Sequence, residues 1–200
     1  MEIIKTREEL PKFFADHGCV VGAEVGVSEG RYSAKILGEP RIKLLYSIDS
    51  WTYFPSLEIC QESWDKTKKI LSQFHERSVI IRGSSTVVAN EQFKDNQLDF
   101  CYIDADHSYS SCKGDCEAWW PKIRCGGILS GHDYRYTGMA MCPCLWRLPK
   151  DGKVISGIPR SRRARLGKCE VKKAVDEFVA SRKLELVLVE DAGSWLVFKP

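Results

Sequence analysis

No stretch of this chain approaches the roughly 18 consecutive apolar residues that a membrane-crossing helix needs. The opening segment is broken by Glu2, Lys5, Arg7, Glu8 and Glu9, where a signal peptide would carry an apolar core. Neither export nor membrane spanning is expected. Charge of one sign is also scarce: 30 Lys and Arg against 27 Asp and Glu leave a formal +3, far from the surplus of a protein that binds chiefly by neutralising phosphates. Nucleic acid is therefore unsupported as a partner without being excluded. The nine cysteines are odd in number and include no C-x-x-C pair, which argues against a disulfide framework and a structural zinc site, and for a reducing, cytoplasmic setting. Cys142-Pro143-Cys144 is the tightest cluster and reads as loop thiols. Internal repeats are absent.

What is present is an ordinary folding composition, 44% hydrophobic and 28% charged over 200 residues, of a size for one domain spanning 1–200. Thr6 and Glu9 have capping-box spacing ahead of Leu10, Phe13 and Phe14, and Gly18 can close that leading helix. Short apolar runs then alternate with amphipathic ones: Cys19–Glu24 then Tyr32–Leu37, Leu44–Asp49 then Leu57–Phe74, Val79–Arg82 then Thr86–Phe93, Leu98–Asp104 then Cys112–Trp120, and Gly127–Leu129. This rhythm predicts an α/β fold: a Rossmann-like, doubly wound, mostly parallel sheet with helices on both faces. The tail departs from it. A helix over Val171–Arg182 precedes Leu184–Val189 and Trp195–Phe198, separated by the turn Asp191-Ala192-Gly193-Ser194. The two runs predict an antiparallel C-terminal hairpin that completes seven strands and supplies an antiparallel edge. Residues 135–169 show little periodicity and read as an irregular insertion, a candidate substrate lid.

Ligands of such sheets bind beyond the carboxyl ends of the strands, so the residues just past each apolar run carry the functional reading. Glu24 ends the first run, and Gly26 and Gly30 follow with G-x-x-x-G spacing, which lacks the third glycine of a dinucleotide cradle. Glu24 suits a ligand ammonium. Asp49 closes the second run about 20 residues further on, where an acid accepts ribose hydroxyls; the alternative is a turn or cap aspartate. Gly83, Ser84 and Ser85 follow the third run and can lie against an adenine, or Ser84 or Ser85 can cap a helix. Asp104 and Asp133 stand past the fourth and fifth runs, close enough to converge on a hard cation such as Mg²⁺. His132 is a further candidate ligand that shifts the preference toward Mn²⁺, Fe²⁺ or Zn²⁺. The alternative is that these acids cap helices. His107, on the same rim, is the candidate general base.

The series Tyr102-Ile103-Asp104-Ala105-Asp106-His107-Ser108-Tyr109, followed by Asp115, Trp120-Pro121, Gly126-Gly127 and Gly131-His132-Asp133-Tyr134, resembles the class I S-adenosylmethionine-dependent methyltransferases. Within them it is similar to the metal-dependent O-methyltransferase branch of catechol, caffeoyl-CoA and macrocin type. The resemblance spans about residues 18 to 134. It implies that Glu24, Gly26 and Gly30 hold the methionine part of the cofactor, Asp49 its ribose, and Gly83 to Ser85 its adenine. Asp104 and Asp133 match the family's metal aspartates, and His107 the base of the macrocin type. The chain departs from the pattern at Tyr134, where the plant and catechol enzymes have Asn, and at His132, where the macrocin type has an acid.

The expected activity is methyl transfer from S-adenosylmethionine to a small-molecule hydroxyl, assisted by Mg²⁺ or Mn²⁺, in a chain that can also form a homodimer. Arg160, Arg162, Arg163, Arg165 and Lys168 make a basic loop suited to an anionic acceptor; an RNA or protein methyltransferase using that loop without metal is the alternative. Trp51, Tyr53 and Phe54 either wall the acceptor pocket or pack a loop. A nicotinamide-dependent oxidoreductase is disfavoured by the missing third glycine.

Overall fold

A computed structural model describes residues 4–52, 56–135, 169–190 and 193–200. Residues 136–168 of the expected insertion with its basic loop, the Cys142/Cys144 pair, Tyr53 and Phe54, and Asp191 and Ala192 of the expected turn lie outside the described residues.

The chain enters through a short 3-10 turn, Arg7–Glu9, and helix α1, Leu10–Asp16. Thr6 makes no side-chain cap, and the Glu9 carboxylate instead accepts the Lys5 N–H at 3.0 Å, so the expected capping box does not form. It fails because the Glu9 carboxylate reaches past Thr6 to the preceding N–H and the Thr6 hydroxyl caps nothing. Strands β1 (Val21–Val25), β2 (Leu44–Asp49), β3 (Ser78–Arg82), β4 (Leu98–Ile103) and β5 (Ile123–Gly131) follow in chain order. Between them run helices α2 (Arg31–Leu37), α3 (Leu57–Leu71), α4 (Ser85–Gln92) and α5 (Tyr109–Trp119). Helix α6, Val171–Arg182, then leads into β6 (Val187–Leu188) and β7 (Trp195–Phe198).

The sheet order is β3-β2-β1-β4-β5-β7-β6, all parallel through β5. The seven-stranded, mostly parallel sheet read from the sequence is thus the sheet observed. One detail differs. The antiparallel strand is β7, which pairs with both β5 and β6 and sits one place in from the edge. Trp195, Leu196 and Val197 are all buried, and the interior place is the one that removes them from water on both faces. The two-residue β6, with Leu188 partly exposed, is the short edge that discourages further pairing.

Alternate side chains leave the sheet on opposite faces. Ala23, Val25, Cys101, Ile103 and Leu129 pack under α4, α5 and α6 with Val88, Trp119 and Phe178. On the other face, Leu45, Phe100, Tyr102 and Leu196 pack with Phe14, Ile36 and Leu37 of α1 and α2. Successive chain segments leave β1 for β2 on one side and arrive at β4 on the other, so the strand order reverses between β1 and β4, where open α/β sheets place their ligands.

Candidate active site

At the end of β1 the backbone is pinned from both neighbours. Gly26 N–H donates to Ile48 at 2.9 Å, and Asp104 N–H donates to Val25 at 2.8 Å. Gly26 has φ +92, and a Cβ there would lie 2.1 Å from the Asp104 carbonyl oxygen; only glycine lets the two strand ends meet so closely. The loop beyond it turns through Ser28 (φ 57) to Gly30 (φ +81). The Asp49 carboxylate gathers this loop: its Oδ2 accepts the N–H groups of Val27 and Ser28, each at 2.9 Å, and its Oδ1 accepts that of Trp51 at 2.8 Å. Trp51 is buried, donates its indole N–H to the Ser28 carbonyl at 2.7 Å and meets Trp64 edge-on. Of the two readings open for Trp51, loop packing is the one observed. Ser28, Trp51 and Asp133 are non-glycine residues in the left-handed region, three of the six such positions among the described residues.

Glu24 points to the α1/α2 face, where the Ser33 hydroxyl donates to its carboxylate. It is almost fully buried, and burial pushes its pKa up to about 8 against the lowering effect of Ser33. Across the β3 end, Gly83 N–H donates to the Asp49 carbonyl at 2.9 Å. Ser84 occupies the N-cap position of α4 without a side-chain bond. The Ser85 hydroxyl is committed inward, donating to Asp115 and accepting the Trp119 indole N–H at 2.9 Å.

The tightest convergence lies at the ends of β4 and β5. Nε2 of His107 is 2.9 Å from Asp133 Oδ2 and 3.4 Å from Asp104 Oδ1. One donor atom from each of Asp104, His107 and Asp133 falls within 4.8 Å of the other two. His132 is placed on the other side of Asp133: its Nδ1 is 2.8 Å from Asp133 Oδ1, and its Nε2 lies where a Cβ on Gly193 would come within 2.6 Å. The helix-cap alternative for Asp104 is not what is seen. Ser108 performs that task, its hydroxyl accepting the Ser111 N–H at 3.4 Å, and Asp106 braces the cap by accepting the Ser108 N–H at 2.9 Å and the Ser111 hydroxyl at 3.1 Å.

Burial alone would discourage charge on His107, yet the hydrogen bonds and charges of Asp104 and Asp133 prevail and push its pKa up to about 11. Burial likewise opposes ionisation of Asp133, and the two histidines outweigh it, holding that carboxylate well below its usual range. Two hard oxygen donors and one imidazole in a triangle of this size fit a divalent cation of the Mg²⁺ to Mn²⁺ kind.

One residue of the rim had no signal in the sequence. Arg7, from the turn before α1, reaches across α2 and brings Nη2 to 3.5 Å from Asp104 Oδ2.

Fold and rim together define a doubly wound α/β protein whose strand order reverses between β1 and β4, with acids and a histidine gathered at the strand ends. Residues 23–134 match the family model described as a methyltransferase domain, and the chain belongs to that methyltransferase family, as its resemblance to the class I S-adenosylmethionine-dependent enzymes implied. Solved structures share the fold at low identity. An O-methyltransferase from Bacillus cereus in complex with SAH is 14% identical at a TM-score of 0.61, covering 96% of this chain and 80% of its own. A Podospora anserina methyltransferase bound to SAH is 14% identical at 0.61, covering 97% and 78%. The O-methyltransferase TomG of Streptomyces achromogenes, in complex with SAM, is 12% identical at 0.59, covering 96% and 78%. Comparison with curated proteins gives no match. Among the described residues, no helix is long and apolar enough to cross a membrane.

Proposed function

We propose that the chain transfers the methyl group of S-adenosylmethionine to a hydroxyl oxygen of a small molecule, with a divalent cation at the acceptor. The carrying observation is the triangle of Asp104, His107 and Asp133 beside the strand-order reversal. Support comes also from the neighbours of the same fold that are described as O-methyltransferases holding SAH or SAM.

In this reading the residues mostly position. The loop of Gly26 and Gly30 brings backbone close to the amino-acid end of the cofactor, with Glu24 beneath it. Asp49 already accepts three N–H groups, which leaves lone-pair capacity on Oδ1 for a ribose hydroxyl. Gly83 to Ser85 present backbone toward the adenine. Asp104, His107 and Asp133 would hold the cation, which when bound draws electron density from the acceptor oxygen and lowers its pKa. His107 faces both aspartates through Nε2 and carries a proton beside them; a bound cation would displace that proton, and the neutral imidazole would then serve the cation or take the acceptor's proton. Aligning donor carbon and acceptor oxygen at about 3 Å replaces an effective concentration on the order of 10⁵–10⁸ M, which leaves little covalent work for side chains.

The test is a thermal-shift series with SAH, with and without Mg²⁺ or Mn²⁺, followed by SAH release from S-adenosylmethionine over a panel of catechols, phenols and aliphatic alcohols. Stabilisation by SAH is expected, with turnover that stops in EDTA and returns with metal. Full turnover in chelator removes the cation from the reading; no shift with SAH removes the cofactor.

A further inference from the structure

The loops that carry His107 and Asp133 leave different strands, and the start of α6 ties them together. Cys169 and Glu170, the two residues ahead of that helix, each engage one loop. The Cys169 thiol donates to the Asp133 carbonyl at 3.6 Å, and the Glu170 N–H donates to the His107 carbonyl at 2.9 Å. Consecutive residues thus bridge the backbones that present two of the three donor groups of the triangle. Val171 follows, buried with Ala174, Val175 and Phe178 in the core on that face of the sheet, so the bridge stands on a packed helix.

Tyr134 fastens Asp133 from its other side. Its N–H donates to the Gly193 carbonyl at 2.9 Å, and its hydroxyl donates to Asp176 Oδ1 of α6 at 2.6 Å. Lys172 completes the group: its Nζ donates to Asp176 Oδ2 at 2.5 Å and to the Tyr134 hydroxyl at 3.3 Å, and stands 5.0 Å from the centre of the Tyr134 ring. The side chain at position 134, an Asn in the plant and catechol enzymes that the sequence resembles, is therefore committed to α6. Asp133, between these ties, has φ 61, a conformation that a non-glycine residue keeps only where its surroundings enforce it. A second tyrosine reaches the same helix differently. Tyr109, the first residue of α5, donates to Glu177 and accepts Lys113 Nζ at 2.9 Å; that tether joins two helices and leaves Asp133 alone.

We propose that Tyr134, held by Asp176 and Lys172, is a positioning residue that acts through Asp133: it sets the place of the Asp133 carboxylate relative to Asp104 and His107, and with it the affinity of the triangle for a divalent cation. This rests on the cation reading above. With a cation in place of the proton between His107 Nε2 and Asp133 Oδ2, the direct tie between the two loops is lost, and the contacts to α6 keep their spacing. Groups that orient metal ligands in this way govern affinity without touching the metal.

Calorimetric titration of the full chain with MnCl₂ and, separately, with SAH tests this. Tyr134→Phe should weaken Mn²⁺ at least about tenfold, the scale of losing a group that orients a ligand, while the Kd for SAH stays within about twofold. Asp176→Ala should do the same, and Asp176→Asn, which keeps an acceptor for the Tyr134 hydroxyl, should fall between it and the wild type. Tyr109→Phe, which deletes the other tyrosine–acid bond to α6, should leave Mn²⁺ affinity within about twofold. Unchanged Mn²⁺ affinity in Tyr134→Phe, a matching loss of SAH in that variant, or an equal loss of Mn²⁺ in Tyr109→Phe overturns the proposal while leaving the cation reading in place. A wild-type chain that binds SAH and no Mn²⁺ overturns both.

Discussion

Asp99 and Asp104 sit at opposite ends of β4, and their surroundings treat the two carboxylates in opposite ways. At the amino end, Asp99 Oδ2 accepts the N–H groups of Val20 and Val21, each at 2.8 Å, and Oδ1 accepts Arg124 Nε at 2.6 Å. Every partner is short, and two are backbone groups that cannot leave. At the carboxyl end, Asp104 has His107 at 3.4 Å and Arg7 at 3.5 Å, both side chains and both beyond strong hydrogen-bond distance. One acid is spent on fastening β1 to β4. The other meets side-chain partners at longer distances, which fits the cation-holding role proposed for it.

Substitutions at the two ends should therefore separate activity from stability. The largest effect is expected for Asp104→Asn: methyl transfer, followed as SAH release, should fall about 10²–10³-fold, while the unfolding free energy in urea changes by less than about 1 kcal/mol. Comparable losses of both would erase the contrast. Asp99→Ala should do the reverse, costing about 3 kcal/mol of stability because two backbone donors and a guanidinium lose their acceptor, with the specific activity of the folded fraction kept. Gly26→Ala sharpens the comparison at the point where β1 meets Asp104. The added Cβ meets a carbonyl and a φ of +92, so about 2 kcal/mol of stability should go, together with SAH affinity measured by calorimetry; an unaffected Kd would show that this loop does not shape the crevice.

The smallest effect is a pH slope away from the rim. Burial, opposed in part by the Ser85 hydrogen bond, raises the Asp115 pKa from 3.8 to about 6. The folded chain therefore keeps a proton that the unfolded chain releases, and stability from this group declines as pH rises from about 4 to 6, then levels off. Asp115→Asn should remove that decline. Urea titrations across the window should show a difference between the two proteins that changes by at most about 1.4 kcal/mol per pH unit; a difference independent of pH would count against it.

Much of this architecture is legible in the primary chain. The run Leu44–Asp49 reappears as β2 and Val171–Arg182 as α6 with their boundaries unchanged, because apolar periods of 2 and 3.6 residues are local properties. Less legible were features whose local signal pointed to one partner while the fold supplied another. Asp49 reads as a ribose acid and is also the collar of the β1–α2 loop. His132 stands beside Asp133 in sequence, yet it is His107 that enters the triangle with Asp104, since Asp133 adopts a left-handed turn that directs its two oxygens to different histidines.

Apolar periodicity and glycine placement are sufficient by themselves to specify an α/β sheet with acids at its strand ends, since each depends only on neighbours a few residues apart. Which strand takes the interior of the C-terminal pair, which acid fastens β1 to β4, and that Arg7 reaches Asp104, were decided by packing between distant segments. Such contacts depend on three-dimensional distance and shared burial, and neither leaves a repeating mark in a linear sequence.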